Sequence, residues 1–463
     1  MLERIKKIHM VGIGGIGMSG VAGLLVTRGY DVSGSDLVSS STVTRLRASG
    51  VEVFEGHAAR NLREPDLVVV SSAVPDDNPE LMEANRRQIP VVGRGAILAE
   101  LAREKRVVAV AGSHGKTTTT SMIAFVLEEL DFDPTAVIGG VVGAFGSNAR
   151  FGQGQFMVVE ADESDRSFLY LTPEIGVLTN VDEEHLDAYG EMDQLEKAFG
   201  EFAARVSDSG RLVVCVDDPR LRKIARVFGS RVVTYGIDSP GAAVSAERFK
   251  LGPTSSACRV RVDVGRISGT AELCLPVPGR HNLSNAVATV AAVACLDIEP
   301  TSVAEVLSRF TGVERRFQRF CTSFGVDVVD DYGHHPTEIA AVIATARLSE
   351  PNRLVVLFQP HRFSRTARLL EQFGDVLAQA DALVLSDIYP ANESPIPGVD
   401  TVGLAASVRQ HRDIPIRLAD SLDEAATYVG SHASPGDLIL VLGAGSVGQL
   451  VPRIVEMLER RVS

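Results

Sequence analysis

The run Ala111-Gly-Ser-His-Gly-Lys-Thr-Thr-Thr119, entered from the apolar stretch Val107–Ala111, constrains this chain more than any other feature. A β-branched segment, a short loop with two glycines and a Lys-Thr pair opening the helix-compatible segment Thr119–Glu129 form the strand–loop–helix context of a phosphate-binding loop. In that context backbone amides and a lysine ammonium cradle phosphate oxygens, and a threonine hydroxyl reaches a divalent cation. Gly112, Ser113, His114, Gly115, Lys116, Thr117 and Thr118 are therefore the expected ATP-binding set. The spacing is shorter than the common GxxxxGK pattern: Val110 stands where the first glycine is expected, and only two residues separate Gly112 from Gly115.

A chain of 463 residues exceeds one hydrophobic core. Short β-branched runs alternate with helix-compatible stretches almost throughout, the pattern of α/β domains built on parallel sheets. The expected architecture is an N-terminal Rossmann-like domain (1–104), a central P-loop ATPase-like α/β domain (105–312) and a C-terminal Rossmann-like domain (313–463). Expected strands include 8–13, 30–34 and 67–71 in the first domain. They continue with 107–111, 156–160, 176–180, 212–216 and 232–236 in the second, then 326–330, 354–359, 382–386 and 438–442 in the third. A β-rich excursion is expected over 238–280, before the helical run 285–296.

Two further glycine loops differ in weight. Gly12-Ile-Gly14-Gly15-Ile16-Gly17 follows a strand and has Asp36 about 20 residues on, a pattern that brings a diphosphate to helix N-terminal amides. It speaks for a diphosphate more than for a nicotinamide. Gly443-Ala-Gly445-Ser-Val-Gly448 lies close to the C-terminus with no room for an acidic ribose partner, and close helix–strand packing accounts for it.

Acidic side chains outnumber basic ones by 59 to 46, a net charge of −13, which disfavours nucleic-acid binding but allows anionic small molecules held by a few local cations. No apolar run is long enough to insert in a membrane, and five widely spaced cysteines suggest neither a disulfide framework nor a metal site, so a cytoplasmic location is expected.

Hard oxygen ligands for a nucleotide-bound cation are expected at Glu160, ending the strand Phe156–Glu160, and His185 follows the next strand end. The third domain concentrates Asp330-Asp331-Tyr332-Gly-His334-His335 and Pro360-His361-Arg362-Phe-Ser-Arg365 after strands. Two arginines at i and i+3 would share a helical face and grip a carboxylate or phosphate.

Laid end to end, GIGGIGMSG (12–20), AGSHGKTTT (111–119), EADESD (160–165), NVDEEHLD (180–187), RHNLSN (280–285), ERRFQ (314–318), DDYGHHPTE (330–338) and PHRFSRT (360–366) resemble the ATP-dependent Mur ligases of bacterial cell-wall synthesis. The shortened phosphate loop is that family's own form. The resemblance covers essentially the whole chain. It implies an ATP-dependent ligase joining L-alanine to the lactyl carboxylate of UDP-N-acetylmuramate through an acyl phosphate, with Mg²⁺ (or Mn²⁺) as cofactor and a monomer or homodimer as the working form. It places the UDP at Gly14, Gly15, Ile16 and Gly17 with Asp36 and Ser71 nearby, and the muramyl sugar at Ser147 and Asn148. Lys116 would hold ATP phosphates, Thr117 and Glu160 one Mg²⁺, and His185 a second. Asn282 and Asp331 would lie around adenine and ribose, and Arg316 near the phosphates. Tyr332, His334, His361, Arg362 and Arg365 would form the amino-acid and muramyl site, with His334 as proton acceptor.

Some members of that family carry a carbamylated lysine about 15 residues after the histidine; that place is Gly200 here, with Lys197 out of register, so no carbamate is expected. Ser446 stands where asparagine is expected. Within the family the rival reading is a recycling ligase that attaches a tripeptide to the same sugar nucleotide. Outside it the rival is an NAD-dependent dehydrogenase, which leaves Lys116 and Glu160 without roles.

Overall fold

The computed structural model describes residues 2–462. The first domain contains strands β1 (Lys7–Val11), β2 (Asp31–Asp36), β3 (Glu52–Glu55), β4 (Leu67–Val70) and β5 (Val91–Gly93). They run parallel in the order β3-β2-β1-β4-β5. The winding reverses beside β1, and in such sheets the crevice at the reversal receives a ligand. The glycine loop after β1 opens there.

The central sheet has ten strands: β6 (Arg106–Ala111), β7 (Thr135–Val142), β8 (Ser147–Phe151), β9 (Phe156–Glu160), β10 (Ile175–Leu178), β11 (Arg211–Cys215), β12 (Val232–Gly236), β13 (Val244–Leu251), β14 (Ser256–Val264) and β15 (Ile267–Leu275). Their order is β15-β14-β13-β12-β11-β10-β6-β9-β7-β8. Val107 to Ala111 are all buried, as a strand covered on both faces requires. Because β10, β6 and β9 are parallel neighbours, the loops after them emerge side by side at one sheet edge. Those loops hold the sequences 179–187, 112–115 and 161–166.

The third sheet holds β16 (Gln318–Cys321), β17 (Asp327–Asp331), β18 (Arg353–Phe358), β19 (Ala382–Ser386), β20 (Ile416–Ala419) and β21 (Asp437–Leu442), in the order β16-β17-β21-β18-β19-β20. Only β16 pairs antiparallel within it. Its two faces carry separate cores, one around Ile339, Phe358, Phe373 and Leu404, the other around Val328, Leu357, Val429 and Ile454.

The three domains fall into two compact units. The first comprises Met1–Glu247, Arg259–Leu273 and Ser284–Phe310, and so holds the first sheet and most of the second. The second comprises Arg248–Cys258, Cys274–Leu283 and Thr311–Ser463.

The expected β-rich excursion is present as β13–β15. Two helices begin earlier than their apolar patterns suggest. One starts at Lys116, the phosphate-loop lysine itself, and one at Arg280, so the sequence RHNLSN is helical rather than a lead-in. The antiparallel pair β7–β8 was not expected, because Gly139, Gly140, Gly143 and Gly146 give its sequence the look of a loop. No helix among the described residues is long and apolar enough to cross a membrane.

Candidate active site

Local geometry makes the phosphate loop a glycine structure. Gly112 has φ +140°, and a Cβ there would stand 1.9 Å from Thr179 Oγ1. Gly115 caps the following helix at φ +80°, and a Cβ there would stand 2.5 Å from Asn285 Oδ1. Side chains have no room at either position, and both backbones lie where L-residues are strained.

The loop is shaped by the neighbouring strand end. Asn180 Oδ1 accepts from the His114 N–H at 2.8 Å, and Asn180 Nδ2 donates to the His114 carbonyl at 3.0 Å. The Asn180 carbonyl accepts from the Ser113 N–H at 3.0 Å. Thr179 Oγ1 donates to the same His114 carbonyl at 2.7 Å, and the Ser113 hydroxyl accepts from the Asp182 N–H at 2.9 Å. The His114 ring meets Asp182 at 2.9 Å. His114 thus braces the loop against β10, and its ring is turned to protein rather than to the phosphate cradle.

Lys116 Nζ donates to the carbonyls of Gly112 (2.6 Å) and Ser113 (3.1 Å) and to Glu163 Oε1 (2.8 Å). Burial works against its charge, but the fields of Glu163, Asp162 and Glu160 outweigh it and raise the Lys116 pKa. Glu163 is fully buried; desolvation pushes it up to about 7 despite Lys116. Its Oε2 is buried with no hydrogen-bond partner among the described residues, and His185 Nε2 stands 3.7 Å from its Oε1. Acidic neighbours raise the lysine and burial raises Glu163, so both members of the pair shift upward. Thr117 Oγ1 donates to Glu160 Oε1 at 3.0 Å, and Glu160 Oε2 accepts from the Gly139 N–H at 2.7 Å. A hydroxyl and a carboxylate at that separation are a hard-oxygen pair of the kind that holds Mg²⁺. His185 has a left-handed backbone, φ 54°, at the start of the short helix Leu186–Tyr189. Thr118 is buried behind the loop.

In the first domain Gly14 N–H donates to Asp36 Oδ2 at 2.8 Å, and a Cβ on Gly14 would strike that carboxylate. Asp36, expected near the UDP, is thus engaged with the loop it follows. Ser71 packs under Gly12, where a Cβ would approach its own Cβ to 3.1 Å. Gly15 caps the helix Ile16–Thr27, and Ile16 is exposed at its first turn. Ser147 lies at the start of β8, partly buried. Asn148, expected at a sugar, is buried. Its Nδ2 donates to the Ile16 carbonyl at 2.6 Å and meets Ser19 Oγ at 3.2 Å, which fastens β8 to the first helix.

In the second unit, β17, β21 and β18 are neighbours, so DDYGHH, GAGSVG and QPHRFSR also leave one sheet edge. Asp331 is buried, and desolvation pushes it up to about 6 although it accepts N–H bonds from Phe317 and Gly333, both at 2.7 Å. Arg315 and Arg316 flank the Tyr332 ring at 5.1 and 5.2 Å. Tyr332, His334, His361 and Tyr389 form a continuous aromatic file with centroid spacings of 5.4, 5.7 and 5.4 Å. His334 is held by Glu338 Oε2 at 3.3 Å. Asn282 Nδ2 donates to the Pro278 carbonyl at 2.8 Å.

The two arginines do not share a helical face. Arg362 precedes the helix Phe363–Arg368 with φ 72° and donates its N–H to the Tyr389 carbonyl, whereas Arg365 lies within it and meets His361 Nδ1 at 3.2 Å. The left-handed residue at 362 breaks the i, i+3 geometry. The C-terminal glycine loop is a packing element: Cβ atoms at Gly445 and Gly448 would meet Gln359 Oε1 and Arg315 Nε, each at 2.5 Å.

Four residues that bear on the site were not singled out from sequence: Asn180, Glu163, Asn285 and Arg94. Each acts on a loop distant in the chain; Asn180, Glu163 and Asn285 lie within the motifs NVDEEHLD, EADESD and RHNLSN, whereas no local pattern marks Arg94. Asn285 carried a further signal, since it falls one helical turn after Asn282.

The fold and loop define a phosphate-loop nucleotide-binding α/β protein with a carboxylate and a hydroxyl paired beside that loop and a second, Rossmann-like glycine loop. Family models match in series: the Mur ligase family catalytic domain over residues 7–106, the Mur ligase middle domain over 110–293, and the Mur ligase glutamate ligase domain over 315–445. The UDP-N-acetylmuramate–L-alanine ligase of Solibacter usitatus is 47% identical over 99% of this chain and 96% of its own length. That of Acidobacterium capsulatum is 47% identical over the whole of both chains. The crystal structure of UDP-N-acetylmuramate–alanine ligase from Thermotoga maritima superposes with TM-score 0.83 at 32% identity, covering 98% of this chain and 99% of that one. A murein peptide ligase from Psychrobacter arcticus shares the fold at TM-score 0.74 and 23% identity, over 98% and 99% of the two chains. The chain belongs to the Mur ligase family. Ligases of this family are ATP-dependent and use Mg²⁺.

Proposed function

We propose that this chain is the ligase that joins L-alanine to the lactyl carboxylate of UDP-N-acetylmuramate, acting in the cytoplasm as a monomer or homodimer. Its domains would divide at about 104 and 312. The observation that carries the chemistry is the phosphate loop with its lysine in place and Thr117 and Glu160 meeting at 3.0 Å beside it. The choice of substrates rests on full-length identity of 47% to relatives that bear that activity in their names.

The residues divide the work by charge. Carboxylate and triphosphate are both anions, so their approach needs cations: Lys116 on the phosphates, and Mg²⁺ held by Thr117 and Glu160, with His185 for a second ion. A lactyl carboxylate oxygen attacks the γ-phosphorus as the bond to the ADP oxygen breaks. The alanine nitrogen then attacks the acyl carbon, the bond to phosphate oxygen breaks, and the amine gives up a proton. His334, oriented by Glu338, is the proposed acceptor of that proton. Gly14, Gly15, Ile16 and Gly17 would present amides to the diphosphate, with Asp36 holding the turn and Ser71 and Ser147 nearby. Asn148 would act by fixing Ile16. Asn282, Arg316 and Asp331 are assigned to the nucleotide, and Tyr332, His361, Arg362 and Arg365 to the amino acid and muramyl group.

The test is phosphate release from MgATP in the presence of UDP-N-acetylmuramate, with single amino acids or the L-Ala-containing tripeptide as acceptor. Release that requires both the sugar nucleotide and free L-alanine is the expected result. Turnover with the tripeptide alone would assign the recycling reaction instead, and no turnover with either acceptor would remove the proposal.

A further inference from the structure

We propose that Arg94 couples the two nucleotide sites, so that occupancy of the glycine loop after β1 is transmitted through its guanidinium to the carboxylate turn that holds Lys116. Arg94 is the first residue of the helix Arg94–Ala102 in the N-terminal domain, yet both of its partners lie elsewhere. One edge of the guanidinium faces the central domain: Nη2 stands 3.2 Å from Asp162 Oδ2 and 3.6 Å from Asp165 Oδ2. Its other edge faces the glycine loop, where a Cβ on Gly17 would lie 2.8 Å from Nη1. All of these groups belong to the first compact unit.

The backbone beneath is equally tight. A Cβ on Gly95 would lie 2.4 Å from Ser167 Cβ, so the start of this helix is pressed against Ser167, whose neighbour Phe168 donates its N–H to the Asp162 carbonyl at 3.1 Å. Asp162 is next in sequence to Glu163, and Glu163 holds Lys116 at 2.8 Å. One acidic turn therefore binds two cations, one reaching toward each loop.

The inference rests on the sugar-nucleotide reading of the glycine loop. A diphosphate at the N-terminus of the helix Ile16–Thr27 arrives beside the Nη1 edge and fixes the guanidinium without detaching it from Asp162. A planar fork serves two partners on two edges; an ammonium does not. The ordering of residues 162–165 is then already accomplished when ATP binds, which makes the coupling positive and, by linkage, reciprocal.

The experiment is isothermal titration of a non-hydrolysable MgATP analogue, without and with saturating UDP-N-acetylmuramate, on the wild type, Arg94→Gln and Arg94→Lys, each checked for an unchanged thermal midpoint. In the wild type the sugar nucleotide is expected to tighten the analogue about tenfold, within the usual range of such couplings. Both variants should show a coupling factor near 1, whatever their affinity for the analogue alone. Arg94→Lys should keep more sugar-nucleotide affinity than Arg94→Gln. A coupling that survives in Arg94→Gln, or that is absent or negative in the wild type, overturns the proposal. A wild type that fails to bind UDP-N-acetylmuramate at all refutes the sugar-nucleotide reading and the coupling with it, whereas binding without coupling refutes the coupling alone.

Discussion

Lys116 Nζ lies 2.8 Å from Glu163 Oε1, so the cation that phosphates require is held by a buried acid before they arrive. A phosphate must compete for it, and Glu163 must then lose its partner or share it. Breaking a buried ion pair by removing one charge costs about 3–5 kcal/mol, mostly because the other charge is left uncompensated. Glu163→Gln should therefore lower the unfolding midpoint in the absence of nucleotide, and a MgATP analogue should restore more stability to the variant than to the wild type. Thermal unfolding with and without the analogue measures both; an equal loss in the two conditions would mean that Glu163 is not what holds the lysine.

Lys116→Met addresses the chemistry directly. Without the ammonium, UDP-N-acetylmuramate-dependent phosphate release should fall by about 10²–10³, the usual effect of losing one electrostatic stabiliser of a developing charge. Binding of the sugar nucleotide, measured by titration, should stay near wild type.

Gly112→Ala and Gly146→Ala form a matched pair. Both glycines have positive φ, but a Cβ at 112 collides with Thr179 Oγ1 whereas a Cβ at 146 meets nothing within 4 Å. Gly146→Ala should cost only the left-handed strain, about 1 kcal/mol. Gly112→Ala should abolish measurable ATP-analogue binding, because the loop must move off Asn180 to admit the methyl group.

His281 carries a pH signature. Burial, with Arg316 nearby, lowers its pKa to about 4, and its Nδ1 is buried with no hydrogen-bond partner among the described residues. A depressed histidine pKa means that the unfolded chain binds the proton first. Its stability contribution is thus complete above about pH 6.5 and is lost as pH falls toward 4. His281→Gln should flatten denaturation midpoints across that window, a difference of about 2–3 kcal/mol between its ends. A variant whose stability tracks the wild type from pH 6.5 to 4 would exclude His281 as the group responsible.

What the sequence disclosed and what it withheld divide along physical lines. The phosphate loop was legible because backbone geometry, a lysine and a hydroxyl must sit within a few consecutive residues to do that chemistry. Buried parallel strands such as β6, β9 and β18 were legible as short apolar runs. The pair β7–β8 was not, since glycine serves a bulged pairing as readily as a loop. Arg94 lies in no recognised motif and Glu163 lies in one, but both gain their meaning from partners 68 and 47 positions away, and no local pattern names those partners. Asp36 was found by pattern and Asn148 by resemblance, yet Asp36 braces Gly14 and Asn148 holds Ile16, because side chains near a site often shape the backbone that meets the ligand. Arg362 and Arg365 were placed on one helical face; the left-handed backbone at 362 takes the first of them off it.

Asn180 grips the phosphate loop through its side-chain oxygen, side-chain nitrogen and backbone carbonyl, from 66 residues downstream. During synthesis, a chain that has emerged only as far as β9 already contains the whole motif from Gly112 to Thr118, but lacks the residue that sets its shape. Competence to hold nucleotide therefore appears only when β10 has docked beside β6. On the ribosome this protein cannot sequester ATP with the motif alone: the binding site is a product of assembly, and its appearance marks the docking of the central sheet's fifth strand in chain order.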